Sequence, residues 1–180
     1  MKLVLLHALP FDGRMWADQR DLLPGSTIAP DLYGLGESIE EWAPAIVDRT
    51  DGEELIVVGA SMGGSCALEV AALAPDRVAA VVLAGAKAGH RPEPEFRNEV
   101  VRGVRAFHNR RDLSEFARVW AKPLVVISGD QNRPERAAQL ARDARDGEFH
   151  CVPDCGHYVN LEQPSHFDAI VRSVIERVTA

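Results

Sequence analysis

The sequence predicts an α/β fold: a single domain holding a six-stranded, mostly parallel sheet with helices on both faces. Short apolar runs of strand length recur along the chain, and longer segments of helical period separate them. Strand and helix alternate throughout, and no repeat, low-complexity run or long linker breaks the alternation. The 180 residues are enough to bury one sizeable core, so residues 1–180 are read as one domain. At 46% hydrophobic and 26% charged the composition is that of an ordinary globular domain, so disorder is not expected before the last few residues.

The elements follow in order. Leu3–Leu6 is apolar without interruption, as a buried parallel strand requires. Trp16–Leu23 reads as a short helix stopped by Pro24-Gly25. Thr27–Ala29 is a brief second strand leading into a turn-rich loop, Pro30 to Gly36. Ser38 caps a helix running to about Asp48, with Glu40 and Glu41 in the first turn, where carboxylates suit the helix dipole. Leu55–Val58 is the third strand and stops at Gly59. Met62–Leu73 is a helix that ends before Pro75, and Val78–Leu83 is the fourth strand. Residues 94–120 carry Phe96, Val100, Val104 and Phe107, then Leu113, Phe116 and Trp120, spacings that suit two amphipathic helices. Leu124–Ser128, helix Glu135–Ala144, Glu148–Val152 and helix Ser165–Val178 complete the chain. In open sheets of this kind ligands sit beyond the carboxyl ends of the strands, so chemistry is expected just after Leu6, Val58, Ser128 and Val152.

The net charge of -7 speaks against a nucleic-acid or anionic-membrane partner, either of which needs a basic surface. The three cysteines, Cys66, Cys151 and Cys155, form no disulfide framework and no zinc pattern, and read as small half-buried thiols. The apolar start is too short for a signal or membrane segment, which leads to the expectation of a cytoplasmic protein. No metal cluster, phosphate-binding loop or dinucleotide fingerprint is present, so neither metal nor cofactor is expected.

Gly59-Ala60-Ser61-Met62-Gly63 is a G-x-S-x-G sequence between a predicted strand and a predicted helix. Such a turn strains the serine backbone and leaves no room for a Cβ at either glycine. It presents the serine oxygen at a helix N-terminus, which favours developing negative charge. An alkyl hydroxyl needs a base, and His157, in Cys155-Gly156-His157-Tyr158 after the last strand, has the required place in chain order. His90, His108, His150 and His166 have no motif around them and read as solvated or structural. His7 reads as a brace for its loop. Two backbone N–H groups should hold the developing oxyanion: that of Met62, directly after the nucleophile, and that of Leu9, since Pro10 has none.

Taken together, these segments resemble the α/β-hydrolase superfamily, in particular its small bacterial esterase- and lactonase-like members. Leu6 to Pro10 is similar to the family's His-Gly oxyanion segment, with Ala8 where glycine is usual. Asp31-Leu32-Tyr33-Gly34-Leu35-Gly36-Glu37-Ser38 resembles its Asp-x-x-Gly-x-Gly-x-Ser loop, residues 59–64 its nucleophile elbow, and residues 156–164 its histidine segment. Relative to the usual family pattern, two strands before Leu3 and a full lid are missing. Residues 87–122 are left as a reduced, lid-like helical segment and imply an open site. The resemblance also implies a triad acid three residues after the glycine that ends the fifth strand. Asn132 stands there, while an acidic residue, Asp130, stands one residue after that glycine. Either Asp130 reaches His157 through a shifted turn, or Asn132 orients the ring as a neutral partner.

The arginines between Arg91 and Arg118 read as a solvated face interleaved with acids, with recognition of an anionic acyl group as the alternative. Phe11, Met15 and Met62 are candidates to line an acyl pocket, and Glu162 reads as a brace of the last loop. The expected activity is hydrolysis of a small carboxylic ester, thioester or lactone through an acyl-enzyme on Ser61. A weak or binding-only scaffold and acyl transfer are the alternatives. The partner is a small-molecule ester, and the oligomeric state is left open.

Overall fold

A computed structural model describes residues 1–88 and 102–180, with residues 102–104 by backbone alone. The strands are β1 (Lys2–Leu6), β2 (Thr27–Ile28), β3 (Leu55–Ala60), β4 (Val78–Ala84), β5 (Leu124–Gly129) and β6 (Gly147–Val152). They form one six-stranded sheet in the order β2-β1-β3-β4-β5-β6. Every pairing is parallel, so the sheet is wholly rather than mostly parallel. The helices are α1 (Ile39–Asp48), α2 (Met62–Leu73), α3 (Arg102–Asn109), α4 (Ser114–Val119), α5 (Pro134–Asp143), α6 (Val159–Glu162) and α7 (Pro164–Thr179).

The period-2 pleat divides the strand side chains between two cores. Val4, Leu6, Val57, Val81, Leu83 and Val126 pack with α1, α2, α4 and α5 on one face. Leu3, Leu5, Ile56, Val58, Val82 and Ile127 pack on the other with Met15, Trp16 and α7, through Phe167, Val171 and Val174. Strands β3, β4 and β5 are buried along their whole length, which explains why they read as continuous apolar runs.

Two expectations shift. The helix placed at Trp16–Leu23 is instead a 3-10 segment over Gly13–Gln19, kinked at Trp16. Its start moves forward because the Asp12 side chain accepts the Arg14 amide and tightens the chain three residues early. Val159–Glu162, read as loop, forms one turn of helix. Of the two helices expected over 94–120, α3 and α4 are observed; Phe96 and Val100 lie outside the described residues, as does the side chain of Val104. Their segment is tied down at Arg111, whose side chain pairs with Glu69 at 2.7 Å and whose amide donates to Glu40 at 3.0 Å.

The sheet order fixes where a site can form. After β1 the chain turns to the face of Met15 and Trp16; after the neighbouring β3 it turns to the opposite face, into α2. Adjacent strands whose continuations part in this way leave a crevice at their carboxyl ends.

Candidate active site

Ser61 stands at the β3 side of that crevice with φ 50 and ψ -112, a backbone conformation that costs a non-glycine residue on the order of 1–3 kcal/mol. The neighbours hold it there. Its amide donates to the Ala84 carbonyl at the end of β4 at 2.8 Å, and its carbonyl accepts the Gly64 amide at 3.0 Å. A Cβ on Gly59 would stand 2.2 Å from the Gly63 carbonyl oxygen. One on Gly63 would stand 2.1 Å from that of Leu6, so only glycines allow the elbow to close and α2 to start against the end of β1. Met62 opens α2, where an amide has no intrahelical acceptor.

His7, fully buried at the end of β1, braces the next loop. Its Nε2 accepts the Leu32 amide at 2.9 Å, so the proton is on Nδ1, which donates to the Ala8 carbonyl at 3.1 Å. Asp31 lies 3.5 Å from Nε2, but with that nitrogen unprotonated the contact is no ion pair. Burial holds the His7 pKa below its ordinary value, as a neutral imidazole in this bond pattern requires.

His157 reaches the crevice from the other side. A Cβ on Gly85 would stand 3.2 Å from both Cε1 and Nδ1 of the ring, so the imidazole lies against the residue that follows Ala84. The Tyr158 hydroxyl donates to the Leu9 carbonyl at 2.9 Å and fastens the histidine segment to the loop after β1. The contacts close a ring: Ser61 to Ala84, Gly85 to His157, Tyr158 to Leu9, and Leu6 back to Gly63. These contacts set Ser61, Met62, Leu9 and the His157 segment around the carboxyl ends of β1, β3 and β4. Burial lowers the His157 pKa; Glu162 opposes that shift and Lys87 adds to it.

Glu162 grips both sides of the histidine. Its carboxylate accepts the Gly156 amide at 2.7 Å and the Tyr158 amide at 2.8 Å, which bears out its reading as a brace.

Asp130 does not join this group. Its two oxygens accept the amides of Asp154, at 3.2 Å, and Cys155, at 3.1 Å, and hold the turn after β6. This corrects the expectation that it reaches His157 by a shifted turn. Gly129 is the cause: residues 155 and 156 cross it so closely that a Cβ there would stand 2.1 Å from the Cys155 carbonyl oxygen, and this delivers the two amides to Asp130. Asn132 shares a cavity with His157, but among the described residues the ring accepts or donates no hydrogen bond.

The acyl-pocket candidates divide. Met62 is fully buried in the core under α2, and Met15 packs beneath the loop after β1, where its sulfur takes the Ala8 amide at 3.2 Å. Phe11 stacks edge-on against Tyr158, with centroids 5.0 Å apart, and lines a surface cavity with Pro10, Met15 and Leu161. Of the arginines between 91 and 118, Arg111 is paired with Glu69 and Arg110 is buried, donating to the Phe107 carbonyl. Sequence reasoning missed a different convergence: Lys87, Arg133 and Arg136 surround the cavity that holds Asn132 and His157. No local pattern announces it, since Lys87 follows β4 whereas Arg133 and Arg136 belong to the start of α5. Of the remaining histidines, His150 bonds Glu148 at 2.7 Å on β6, and His90 lies outside the described residues. Cys66 and Cys155 are buried, and burial pushes the Cys155 thiol up to about 11; Cys151 is exposed. Among the described residues no helix is long and apolar enough to cross a membrane.

A parallel sheet with a strained serine at one strand end and a histidine returning to it defines an α/β protein with a nucleophile-elbow site. The chain belongs to the α/β hydrolase fold family, whose model matches residues 3–113. Among curated relatives, it is 36% identical over 95 residues to a lipase, LipV, of Mycobacterium tuberculosis, covering 46% of this chain. It is 32% identical over 139 residues, 69% of this chain, to the dihydrolipoyllysine-residue acetyltransferase component of the acetoin cleaving system of Pseudomonas putida. Each match spans 36% of the relative's length. Among solved structures, a thermophilic esterase from Thermogutta terrifontis superposes with a TM-score of 0.84 at 23% identity, over 100% of this chain and 91% of that one. An enol-lactonase from Burkholderia xenovorans LB400 gives 0.80 at 21% identity, over 97% and 90%. At these identities the structural likeness concerns the fold.

Proposed function

We propose that the protein is a serine hydrolase that cleaves small carboxylic esters, thioesters or lactones. The observation that carries this reading is the strained Ser61, bonded to Ala84, next to the residue against which the His157 ring packs. Ser61 attacks the carbonyl while His157 takes its proton, and the amides of Met62 and Leu9 receive the oxyanion. His157 then protonates the leaving group, and water activated in the same way releases the acid. The lipase, esterase and lactonase named among the similar proteins support this class of reaction. In the same proposal residues 87–122 form a reduced lid over one domain, the protein is cytoplasmic, and it needs no cofactor.

Turnover of 4-nitrophenyl acetate tests the assignment: Ser61→Ala should abolish it, and undiminished turnover by the purified variant would sink it. A binding-only scaffold is the second reading, favoured by the diversion of Asp130 to the turn after β6. Labelling by a fluorophosphonate probe separates the two, because an inactive serine stays unlabelled. Acyl transfer to an alcohol is the third, and would show as a new ester product.

A further inference from the structure

We propose that the cavity between His157 and α5 binds a small carboxylate-type anion, and that this anion takes the role of the triad acid behind His157. The proposal rests on His157 being the base of the hydrolysis above.

The position is set by the sheet. Ser61 follows β3, the His157 ring packs on Gly85 after β4, and the cavity opens toward Ser128 and Asn132 at the end of β5. A group in it therefore sits across the imidazole from Ser61, on the side where an acceptor for the second ring nitrogen belongs. The cavity holds about 220 Å³, ample for a carboxylate with a short chain attached.

The lining has one sign. Lys87, Arg133 and Arg136 contribute three cations, and among the described residues none of them is ion-paired. An adjoining cavity of about 230 Å³ shares Lys87 and Arg136 and adds Arg118, itself paired with Glu115, and one acid, Asp143. In a chain of net charge -7 such a convergence is a local exception. The first turn of α5 forms one wall, through Arg133, Arg136 and Ala137. Arg133 is held there with φ 53 and ψ 58, a left-handed conformation that the following Pro134 makes harder to reach, so the backbone is strained where the cation is presented. The Asn132 side chain supplies a neutral amide donor for an anion, where a carboxylate would repel one.

The anion's chemistry is that of a carboxylate, supplied either free or as part of the substrate. Bound, one oxygen accepts the Nδ1 proton of His157 and the other is held by Arg136 and Lys87. No proton is transferred to it; it fixes the tautomer and stabilises the imidazolium.

The test uses the full chain with neutral 4-nitrophenyl butyrate, titrated with sodium formate at constant ionic strength. The expected result is a saturable rise in kcat of about tenfold or more, part of the roughly 10⁴ that a misoriented histidine costs. Arg136→Gln should raise the half-saturating formate concentration by about tenfold, which corresponds to about 1.4 kcal/mol. A second arm compares 4-acetoxybenzoate with its methyl ester: activation confined to the carboxylate substrate assigns the anion to the substrate, and activation by formate on the neutral ester assigns it to a free ion. No rise in either arm overturns the proposal while leaving turnover by Ser61 intact. If neither ester is turned over, the nitrogen NMR signals of His157 decide: formate must shift them in wild type, and Arg136→Gln must need about tenfold more formate for the same shift, or the anion site is refuted.

Discussion

The carboxylate of Asp130 accepts the amide of Cys155 at 3.1 Å, so the acid nearest to His157 in the turn after β5 braces the histidine's loop rather than its ring. The companion bond to the Asp154 amide, at 3.2 Å, uses the other oxygen. Both oxygens are committed to main chain, and the two amides hold the carboxylate in place.

Asp130→Asn should therefore act on stability. The amide retains one acceptor for two amides, and at this exposed turn the loss should be about 1 kcal/mol, read from the midpoint of urea unfolding. The value of kcat/KM for 4-nitrophenyl acetate should fall by less than about tenfold, against the roughly 10⁴ expected when a histidine loses its own acid. A fall of the larger size at unchanged stability would show that Asp130 turns to the ring after all.

This division between fold and site shows what the sequence could convey. The buried strands β3, β4 and β5 were legible because a parallel strand covered on both faces must be apolar at every position. Ser61 and His157 were legible because the elbow needs Gly59 and Gly63, and because the histidine follows the last strand. The direction of Asp130 was not legible, because it depends on the distance at which the 155–156 backbone crosses Gly129, a contact between segments some 25 residues apart. The gathering of Lys87, Arg133 and Arg136 was hidden for the same reason: a cavity lining is a property of the packed sheet and has no sequence period. The early start of the segment at Gly13 turned on one side-chain bond, Asp12 to the Arg14 amide, which competes with helical spacing further on.

Asn132 offers a gain of activity. It lines the cavity with His157 at the position where the resemblance implies an acid. Asn132→Asp should raise kcat/KM for neutral esters by about a hundredfold, a part of what the reverse change removes elsewhere, because the installed carboxylate can accept the Nδ1 proton. The same variant should lose its response to formate, since the role is filled and the cavity has become less cationic. Steady-state kinetics with and without formate measure both. A variant as slow as wild type and still activated would mean that position 132 does not face the ring.

Glu162 and Lys87 pull His157 in opposite directions, and the pH profile should reveal it. Burial, the largest influence, holds the imidazole below its ordinary pKa of 6.5, Glu162 raises it and Lys87 lowers it further. Only the neutral ring can take the serine proton, so kcat/KM should climb through that depressed pKa and already be on its plateau at neutral pH. Glu162→Gln removes a raising influence, so its acidic limb should move to lower pH. Lys87→Gln removes a lowering influence, so its limb should move to higher pH. The Glu162 variant also keeps one acceptor where the amides of Gly156 and Tyr158 each need one, so its plateau should drop by roughly tenfold as the histidine loses its clamp. Profiles of kcat/KM from about pH 4.5 to 8 separate the effects: a lower plateau alone is what bracing produces, and a displaced limb is what the charge produces. A Glu162→Gln limb that stays in place, or a Lys87→Gln limb that moves down, would remove these two residues from the electrostatics of His157 and leave Glu162 as a clasp for the backbone.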